Sequence, residues 1–416
     1  MMRYDAIVVG ARCAGASTAM LLARRGLRVL VVERARYGSD TLSTLALMRG
    51  AVLQLLRWGV LERVRDTGAP AIRSTSFQYG DETIELAIKA RDGVEALYAP
   101  RRKVLDALLE DAAVAAGAEI WHGVRLIDVM RTKEGRVSGA IIEDSGRGLL
   151  QVEAEIVIGA DGARSTLARL VGAEMTRTGR HASGVVYGFW SGLGQRGNAW
   201  SFSSSNGGNG GSGAGAIATH DGETLVFASV SAGRFHAEIQ RDIERGFQRV
   251  LRECAPELAR RVAGATRLGV LRGFAGQVGF FRKCYGPGWA LVGDAGYFKD
   301  PITAHGMTDA LRDAELLARG VVHGTDRALA DYQEARDALS LPLFRITDEI
   351  ASYAWDFDRV KALHVEMSAE MNREVKALVE LERVPWSPKR GDSAFGDLAG
   401  GVRVTERRWA IAKPAC

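Results

Sequence analysis

Residues 1–17 read M-M-R-Y-D-A-I-V-V-G-A-R-C-A-G-A-S, and this stretch decides the fold. The apolar run Ala6 to Val9 predicts a buried parallel strand. Gly10 follows at once and permits a tight turn off the strand, and Gly15 permits close packing of the strand against the helical stretch that comes next. The pattern predicts the first half of a strand–turn–helix–strand unit.

The second half of this unit ends in an acid. The apolar run Val29 to Val32 predicts the next strand, and Glu33 follows it 23 positions after Gly10, near the spacing of about 20 at which an acid binds a ribose hydroxyl. The middle glycine of G-x-G-x-x-G is replaced by Arg12, whose side chain either points away or pairs with phosphate. These residues alone leave two alternatives open, a nucleotide site and an ordinary unit whose glycines serve packing.

Two later segments change that balance. Residues 156–165 read I-V-I-G-A-D-G-A-R-S, and residues 289–310 read W-A-L-V-G-D-A-G-Y-F-K-D-P-I-T-A-H-G-M-T-D-A. Together with residues 1–17, they resemble the flavoprotein monooxygenases of the p-hydroxybenzoate hydroxylase type, and the related geranylgeranyl reductases and flavin-dependent halogenases. The resemblance covers residues 1 to about 320 and implies bound FAD.

The resemblance also implies an α/β fold. We expect a Rossmann-like FAD-binding domain with a parallel sheet and helices, an inserted mostly-β substrate domain, and a helical C-terminal region. The expected FAD-binding domain is discontinuous and comprises residues 1–71, 99–174 and 286–325. The β-rich domain comprises residues 72–98 and 175–285, and the C-terminal region and tail comprise residues 326–416.

The resemblance assigns cofactor contacts residue by residue, from the adenosine end to the flavin ring. The residues implied at the pyrophosphate and adenosine are Gly10, Arg12, Cys13, Ala14, Gly15, Glu33, Arg34, Arg102 in R-K-V-L-D-A-L-L, and Val124. Those implied at the Asp-Gly motif, the ribityl chain and the isoalloxazine are Asp161, Gly162, Gly293, Asp294, Pro301, His305, Gly306 and Met307, with Arg49 as a candidate contact to flavin or substrate.

The turn before residue 306 has a physical logic of its own. Gly306 and Met307 open a helical stretch, and backbone N–H groups at a helix start favour the negative charge of a reduced flavin. Ala304 and Thr308 stand where the family pattern has glycine and asparagine. The side chain of His305 either bonds near the flavin or points away while its backbone makes the contact.

Composition narrows the class of protein. The chain has 416 residues and a formal net charge of +5; this mild excess, without a basic block or aromatic platforms, argues against a nucleic-acid surface. No apolar run reaches the roughly 18 residues of a membrane span. The four cysteines are scattered and no signal peptide precedes the first strand, so we expect a cytoplasmic protein. The histidines and cysteines lack metal-ligand spacing, so no metal site is predicted.

The inserted domain contains aromatic residues in strand-like runs. Their side chains form either an apolar ceiling over the flavin or the domain's own core, and they are Tyr187, Phe189, Trp190, Trp200 and Phe202. Residues 206–215, N-G-G-N-G-G-S-G-A-G, predict a flexible loop, and one helix is expected from about His236 to Cys254. The last thirty or so residues are expected to form a partly ordered tail that covers the substrate entrance or serves as an oligomer arm.

The resemblance implies an FAD-dependent monooxygenase that hydroxylates or epoxidises a small, aromatic or polycyclic molecule through a flavin hydroperoxide. NAD(P)H is the expected electron donor, either directly or through a flavin reductase partner, and the oligomeric state is open. A reductase of carbon–carbon double bonds and a non-catalytic flavin- or ligand-binding protein remain alternatives. A halogenase is disfavoured because its W-x-W-x-I-P signature is absent. The motifs name no catalytic residue, since the cofactor carries the difficult chemistry.

Overall fold

The computed structural model describes residues 2–41, 43, 45–205 and 210–386. The β-strands within them are β1 (Met2–Val9), β2 (Val29–Glu33), β3 (Ser74–Tyr79), β4 (Glu82–Ala87), β5 (Glu119–His122), β6 (Val124–Arg131), β7 (Val137–Asp144), β8 (Gly148–Gly159), β9 (Met175–Thr178), β10 (Ser183–Ser191), β11 (Asn198–Ser203), β12 (Ser212–Ala218), β13 (Thr224–Ser231), β14 (Thr266–Phe274), β15 (Phe280–Arg282), β16 (Tyr285–Gly286), β17 (Trp289–Leu291) and β18 (Tyr297–Phe298).

The α-helices in the same part of the chain are α1 (Cys13–Ala23), α2 (Arg49–Arg57), α3 (Leu61–Asp66), α4 (Arg102–Ala115), α5 (Thr166–Leu170), α6 (Ala232–Glu238), α7 (Ile243–Cys254), α8 (Pro256–Ala263), α9 (Gly306–His323), α10 (Asp326–Ile350) and α11 (Phe357–Glu382). Among the described helices, none is long and apolar enough to cross a membrane.

The first sheet has a parallel centre in the order β17–β8–β1–β2–β5. Its middle strand, β1, is fully buried from Ala6 onward, as its apolar run predicts. Helices α1, α4 and α9 pack together beside this sheet. The α/β fold class with a parallel-sheet domain is confirmed.

The second sheet is the mostly antiparallel order β14–β10–β13–β12–β11–β3–β4, in which the β3–β4 hairpin joins β11, whose Asn198 pairs with Thr75 of β3. A strand-rich second domain is thus present as expected. The prediction of a flexible loop over 206–215 is wrong from Ser212 onward, because β12 is a buried strand; residues 206–209 lie outside the described part of the chain. A Cβ on Gly215 would stand 2.6 Å from the ring of Phe227, so this glycine serves close packing rather than flexibility.

The helical regions also differ from expectation at one point. The single helix expected over 236–254 is two helices, α6 and α7, because Asp242 starts a new helix by accepting a hydrogen bond from the backbone N–H of Arg245 at 3.0 Å. The C-terminal helices α10 and α11 are present as expected and pack against α9 and α2. The expected tail beyond residue 386 lies outside the described residues.

Candidate functional site

Three motifs that are far apart in the sequence meet at one edge of the parallel sheet. Val9 pairs with Gly159 and Gly159 with Leu291, so the last residues of β1, β8 and β17 stand side by side. Because these strands are parallel, the turns that follow them lie at the same edge, where open α/β sheets bind ligands.

The turn after β1 leaves a helix start open. Gly10 has φ +102°, and a Cβ there would stand 2.6 Å from the carbonyl oxygen of Ala160; a Cβ on Gly15 would stand 1.8 Å from the carbonyl oxygen of Gly10. The N–H groups of Cys13, Ala14 and Gly15 carry no hydrogen bond within the described chain. Free N–H groups at the start of α1 suit an anion such as a pyrophosphate.

Two arginines stand beside this helix start. Asp106 of α4 pairs with Arg12 at 3.2 Å and with Arg102 at 3.0 Å, and accepts a hydrogen bond from the thiol of Cys13 at 3.2 Å. Arg12 has φ −79°, a conformation open to any residue, so the missing glycine causes no strain. Two guanidinium groups on one carboxylate leave an excess positive charge next to the open N–H groups. Burial raises the pKa of the Cys13 thiol, which favours a packing role over redox chemistry.

Glu33 fixes the turn from its far side. Its two carboxylate oxygens accept hydrogen bonds from the N–H groups of Ala11 and Ala35, both at 2.8 Å. Nearby Glu110 of α4 is buried, and this burial, followed by the charges of Glu33 and Asp106, raises its pKa to about 7. Arg34 is exposed and Val124 is buried at the start of β6; their contacts with adenosine stay predictions, as does the ribose contact of Glu33.

The Asp-Gly motif after β8 holds its own turn. The carboxylate of Asp161 accepts hydrogen bonds from the hydroxyl of Ser165 at 2.5 Å and from the N–H of Thr166 at 2.6 Å. Burial raises the pKa of Asp161, and Gly162 adopts φ +81°, a left-handed conformation that favours glycine. These bonds make Asp161 a holder of the turn, and its contact with the cofactor stays a prediction.

Asp294 differs from every other acid of this edge. Asp294 lies in a short 3₁₀ turn, Gly293–Ala295, that follows β17. Its side chain is exposed, and it makes no hydrogen bond or ion pair with any described residue. Burial of the surrounding turn, with Asp309 nearby, nevertheless raises the pKa of Asp294 to about 6. A carboxylate that is both exposed and crowded by protein lines a cleft, and its unused oxygens fit the hydroxyl groups of a ribityl chain.

The turn before α9 presents a second open helix start. Residues Pro301–Thr303 form a 3₁₀ turn, Ala304 has φ +50°, and Gly306 begins α9 with no atom within 4 Å of where a Cβ would lie. The N–H groups of Gly306, Met307 and Thr308 make no hydrogen bond among the described residues. Open space in front of free N–H groups fits an electron-rich ring edge. Ala304 adopts the left-handed conformation that the family's glycine takes without cost.

Of the two alternatives for His305, the structure shows the inward one. The imidazole is 1% exposed, and its Nδ1 lies 3.2 Å from the carboxylate of Asp309 and 3.2 Å from the amine of Lys299, while its Nε2 lies 2.9 Å from the carboxylate of Glu374 on α11. The His305 side chain therefore points away from the open side of the turn, and only its backbone faces that side.

His305, Asp309 and Glu374 lie close enough together to hold a metal ion, which the sequence did not predict. The amine of Lys299 lies 2.7 Å from Asp309, and the guanidinium of Arg312 lies 2.6 Å from Glu374 and 3.1 Å from Asp309. Because the cationic side chains of Lys299 and Arg312 already pair with these carboxylates, a divalent ion would meet electrostatic repulsion. We therefore assign the group to a buried ion-pair network.

Arg49 is directed elsewhere by the structure. Its guanidinium donates hydrogen bonds to the backbone carbonyls of Lys89, Arg91 and Val94, at 2.5–3.2 Å. These bonds tie the start of α2 to the loop after β4, and we do not carry Arg49 into the proposed site. Met307 is buried in the first turn of α9, with its sulfur 4.0 Å from the hydroxyl of Ser43.

The second sheet turns one aromatic face toward the turn before α9. Tyr187, Trp200 and Phe202 belong to one buried apolar cluster with Ala304 and Leu45, and Phe189 packs against that cluster. Trp190 lies on the opposite face, where it stacks on Phe247 at 5.5 Å between ring centroids. Four of the five aromatic residues singled out in the sequence therefore lie on the face toward this turn, and Trp190 lies in the core on the opposite face of the sheet.

Backbone strain concentrates in the same cluster. Among the described non-glycine residues, Leu45, Ala304 and Tyr353 combine a left-handed φ with burial, and all three belong to this cluster; Asp92 and Asp221, which share the conformation, are exposed. Left-handed backbone at a bulky residue costs about 1–3 kcal/mol and gathers at functional sites. The strain marks the contact between the sheet and the turn before α9.

Sequence reasoning missed the ion-pair network behind His305. Its acids and cations come from the segment before the turn, from α9 and from α11, and they include Lys299, Asp309, Arg312, Asp313 and Glu374. The four-residue spacing of His305 and Asp309 could have indicated one face of a helix. Nothing local connects residue 305 with residue 374. Asp106, which joins Arg12 to Arg102, was also missed, although it belongs to the motif that contains Arg102.

Several known proteins are similar to this chain in sequence. The family model described as FAD binding domain matches residues 3–341. The menaquinone reductase of Mycolicibacterium smegmatis is 28% identical over 357 residues, which cover 80% of this chain and 79% of that protein. A digeranylgeranylglycerophospholipid reductase of Methanothrix thermoacetophila is 28% identical over 173 residues, 42% of this chain and 43% of that protein. The second alignment therefore spans less than half of that relative.

Solved structures share the fold over most of the chain. The flavin-dependent brominase Bmp2 superposes with a TM-score of 0.73 at 18% identity, covering 92% of this chain and all of that one (100%). PqsL, a probable FAD-dependent monooxygenase from Pseudomonas aeruginosa, superposes with a TM-score of 0.69 at 20% identity, covering 89% of this chain and 100% of that one.

The two open helix starts, the arginine pair and the unpaired Asp294 fit the pyrophosphate, ribityl chain and ring of FAD. The family model spans the turns that carry all of them. The chain belongs to the FAD binding domain family and is an FAD-dependent oxidoreductase.

Proposed function

We propose that this flavoenzyme is a monooxygenase that hydroxylates or epoxidises an apolar, aromatic or polycyclic molecule, using NAD(P)H and O2. One observation carries the proposal: the buried aromatic face of the second sheet shares one apolar cluster with Ala304, beside the open start of α9. A substrate between this face and the flavin ring would be held in apolar surroundings, as small-molecule sites commonly are.

The polar residues of the site would bind and orient the cofactor. The N–H groups at the start of α1, with Arg12 and Arg102, would hold the pyrophosphate, and Asp294 would accept hydrogen bonds from the ribityl chain. The N–H groups of Gly306 and Met307 would face the pyrimidine side of the ring and favour its reduced, more negative form. Each of these donors and acceptors is unused or in excess within the described chain.

The apolar residues would exclude water and position the substrate. Bound FAD supplies the redox and oxygen chemistry, so the protein needs no acid–base pair of the kind hydrolases carry. Polar groups border this face at two points: the backbone of Ser43 interacts with the Tyr187 hydroxyl, and the guanidinium of Arg101 lies 3.7 Å from the ring centre of Phe189. This border between polar and apolar side chains would admit a substrate with one polar end.

We propose NAD(P)H as the electron donor and the cytoplasm as the cell compartment. NAD(P)H would reduce the flavin, either at the open face of the site or through a separate flavin reductase. Cys13, Cys254 and Cys284 are free and buried, which fits a reducing cytoplasm.

Reduction of a carbon–carbon double bond is the second candidate. It is favoured by the menaquinone reductase, which aligns over 80% of this chain and 79% of its own length. The same apolar face would then hold an unsaturated chain instead of an aromatic ring, and O2 would take no part.

Oxygen labelling separates the two reactions. Purified, FAD-loaded protein would be given NADPH or NADH and a panel of apolar aromatic, polycyclic and polyprenyl compounds, under labelled O2 and in parallel without O2. A product that carries one labelled oxygen supports the monooxygenase. A product with two added hydrogens, formed without O2, supports the reductase and contradicts the first proposal. Protein without FAD serves as the control in both arms.

A further inference from the structure

A buried network of charges lies directly behind the turn before α9. Lys299 comes from the segment before the turn, His305 from the turn itself, Asp309, Arg312 and Asp313 from α9, and Glu374 from α11. All six side chains are at most 6% exposed. Arg312 also donates a hydrogen bond at 2.7 Å to the hydroxyl of Ser340 on α10. The network therefore joins the turn to all three C-terminal helices.

The formal charges of these six side chains balance when His305 carries a proton, and buried Arg336 of α10 interacts with Asp313 from outside the six. Asp309, Asp313 and Glu374 bring three negative charges, against the two positive charges of Lys299 and Arg312. Burial and Lys299 lower the pKa of His305, but Glu374 and Asp309 outweigh them, so that the pKa is raised overall.

Further charged or titratable groups border the network. The buried hydroxyl of Tyr297 on β18 faces Asp309 and Arg312 and has no hydrogen-bond partner among the described residues. Asp294 interacts electrostatically with Asp309 and Lys299 from the cleft side. An uncompensated carboxylate inside such a network would be costly, and the imidazolium removes that cost.

We propose that His305 is a positioning residue for the flavin, held as an imidazolium between Asp309 and Glu374, and that the C-terminal helix α11 thereby fixes the turn and places a positive charge behind its open N–H groups. The inference rests on the proposed placement of the ring at the start of α9. Since reduced flavin carries more negative charge than oxidised flavin, this positive charge stabilises the reduced form.

Two variants remove the imidazolium charge in different ways. His305→Gln deletes it at every pH, whereas Glu374→Gln removes the partner that keeps His305 protonated. Glu366→Gln on the same helix is the matched control, because Glu366 is exposed and, within the described part of the chain, pairs only with Arg359 at 3.1 Å. The readout is the midpoint potential of the bound flavin between pH 5.5 and about 8.5, taken by dye equilibration, a range that spans the ordinary pKa of histidine.

The expected result for His305→Gln is a lower potential than that of wild type at every pH at which wild-type His305 is protonated. Removing one charge about 10 Å away at an effective dielectric of about 20 changes the ratio of reduced to oxidised flavin by about tenfold, which is about 30 mV for a two-electron couple. Glu374→Gln also removes a negative charge, so its potential should lie near that of wild type at high pH, where His305 is neutral, and above that of wild type at low pH, where His305 takes up its proton. The double variant should lose this rise at low pH, since the rise acts through His305.

Potentials and pH profiles that match wild type in both variants would overturn the proposal while leaving the cofactor assignment intact. A chain that binds no FAD would overturn both. Should the variants fail to fold, the wild-type protein with isotope-labelled histidine decides by NMR. A doubly protonated His305 ring at pH 8, well above the ordinary pKa of about 6.5, supports the proposal, and a neutral ring refutes it.

Discussion

The substitution Asp294→Asn is expected to move cofactor affinity and protein stability in opposite directions. Asp294 makes no hydrogen bond or ion pair within the described chain, so its removal breaks no native contact. A hydrogen bond to a charged group contributes about 1.5–3 kcal/mol, so loss of the bond to the ribityl chain should weaken FAD binding by about 10- to 150-fold. Asparagine keeps the size and one acceptor, which places the expected loss toward the lower end.

The stability of the FAD-free protein should rise. The pKa of Asp294 is raised from 3.8 to about 6, which corresponds to about 3 kcal/mol if the group were fully buried. Its carboxylate is exposed, so solvent reduces this cost to about 1 kcal/mol. Because the folded pKa is the higher one, the carboxylate destabilises the native state above about pH 6 and has no effect below pH 3.8. The gain from Asp294→Asn should therefore be complete at pH 7 and absent at pH 3.5.

Two assays follow both effects. Fluorescence titration of apoprotein gives the FAD affinity, and urea unfolding of apoprotein at pH 7 and at low pH gives the stability. Asp66→Asn is the matched control, because Asp66 is an exposed acid at the end of α3, remote from the sheet edge. An Asp294→Asn variant with wild-type FAD affinity would refute the placement of the cofactor. A variant that is less stable than wild type at pH 7 would refute the description of Asp294 as an unpaired, crowded carboxylate.

Three further substitutions probe the rest of the site. Gly15→Ala should destabilise the protein by about 1–3 kcal/mol or more and abolish FAD binding, because its Cβ would stand 1.8 Å from a carbonyl oxygen. Gly233→Ala is the control and should be tolerated, because no atom lies within 4 Å of its Cβ position; equal urea midpoints for the two variants would contradict this prediction. Glu110→Gln should raise the free energy of unfolding of the apoprotein by about 1–3 kcal/mol above pH 7, since burial and then Glu33 raise the pKa of Glu110 from 4.5 to about 7. This gain in stability should vanish below pH 4.5, and a variant less stable than wild type to urea at pH 8 would contradict the prediction. Trp190→Ala should cost about 3–5 kcal/mol of stability yet leave the FAD affinity of the folded protein unchanged, because Trp190 packs behind the sheet; a weaker FAD titration would show that it acts at the site.

The turn at the edge of the sheet was predictable because its signal is local. An apolar run, Gly10, Gly15 and an acid at a set distance suffice to predict strand, turn and helix. The meeting of this turn with Asp161 and Asp294 required the resemblance, since no periodicity tells which strands lie side by side. The register of Val9 with Gly159, and of Gly159 with Leu291, supplies that information in the structure.

What failed to be predicted depends on contacts between distant residues. The glycines of 210–215 have the composition of a flexible loop, yet Gly215 is required by the ring of Phe227 that packs on it. The sequence left Arg49 as a candidate contact to the flavin, but its guanidinium donates hydrogen bonds to three backbone carbonyls within residues 89–94. The orientation of His305 was open because its partner Glu374 lies 69 residues away, on a helix whose packing the sequence does not specify.

The most direct test of the account is the absorbance spectrum of the purified protein after incubation with FAD and removal of free cofactor. We predict a stoichiometric oxidised flavin spectrum for the wild-type protein and for Asp66→Asn, and a weaker one for Asp294→Asn. The spectrum should bleach when NADPH or NADH is added, with a reductase where needed. A wild-type protein that retains no flavin would contradict the central claim.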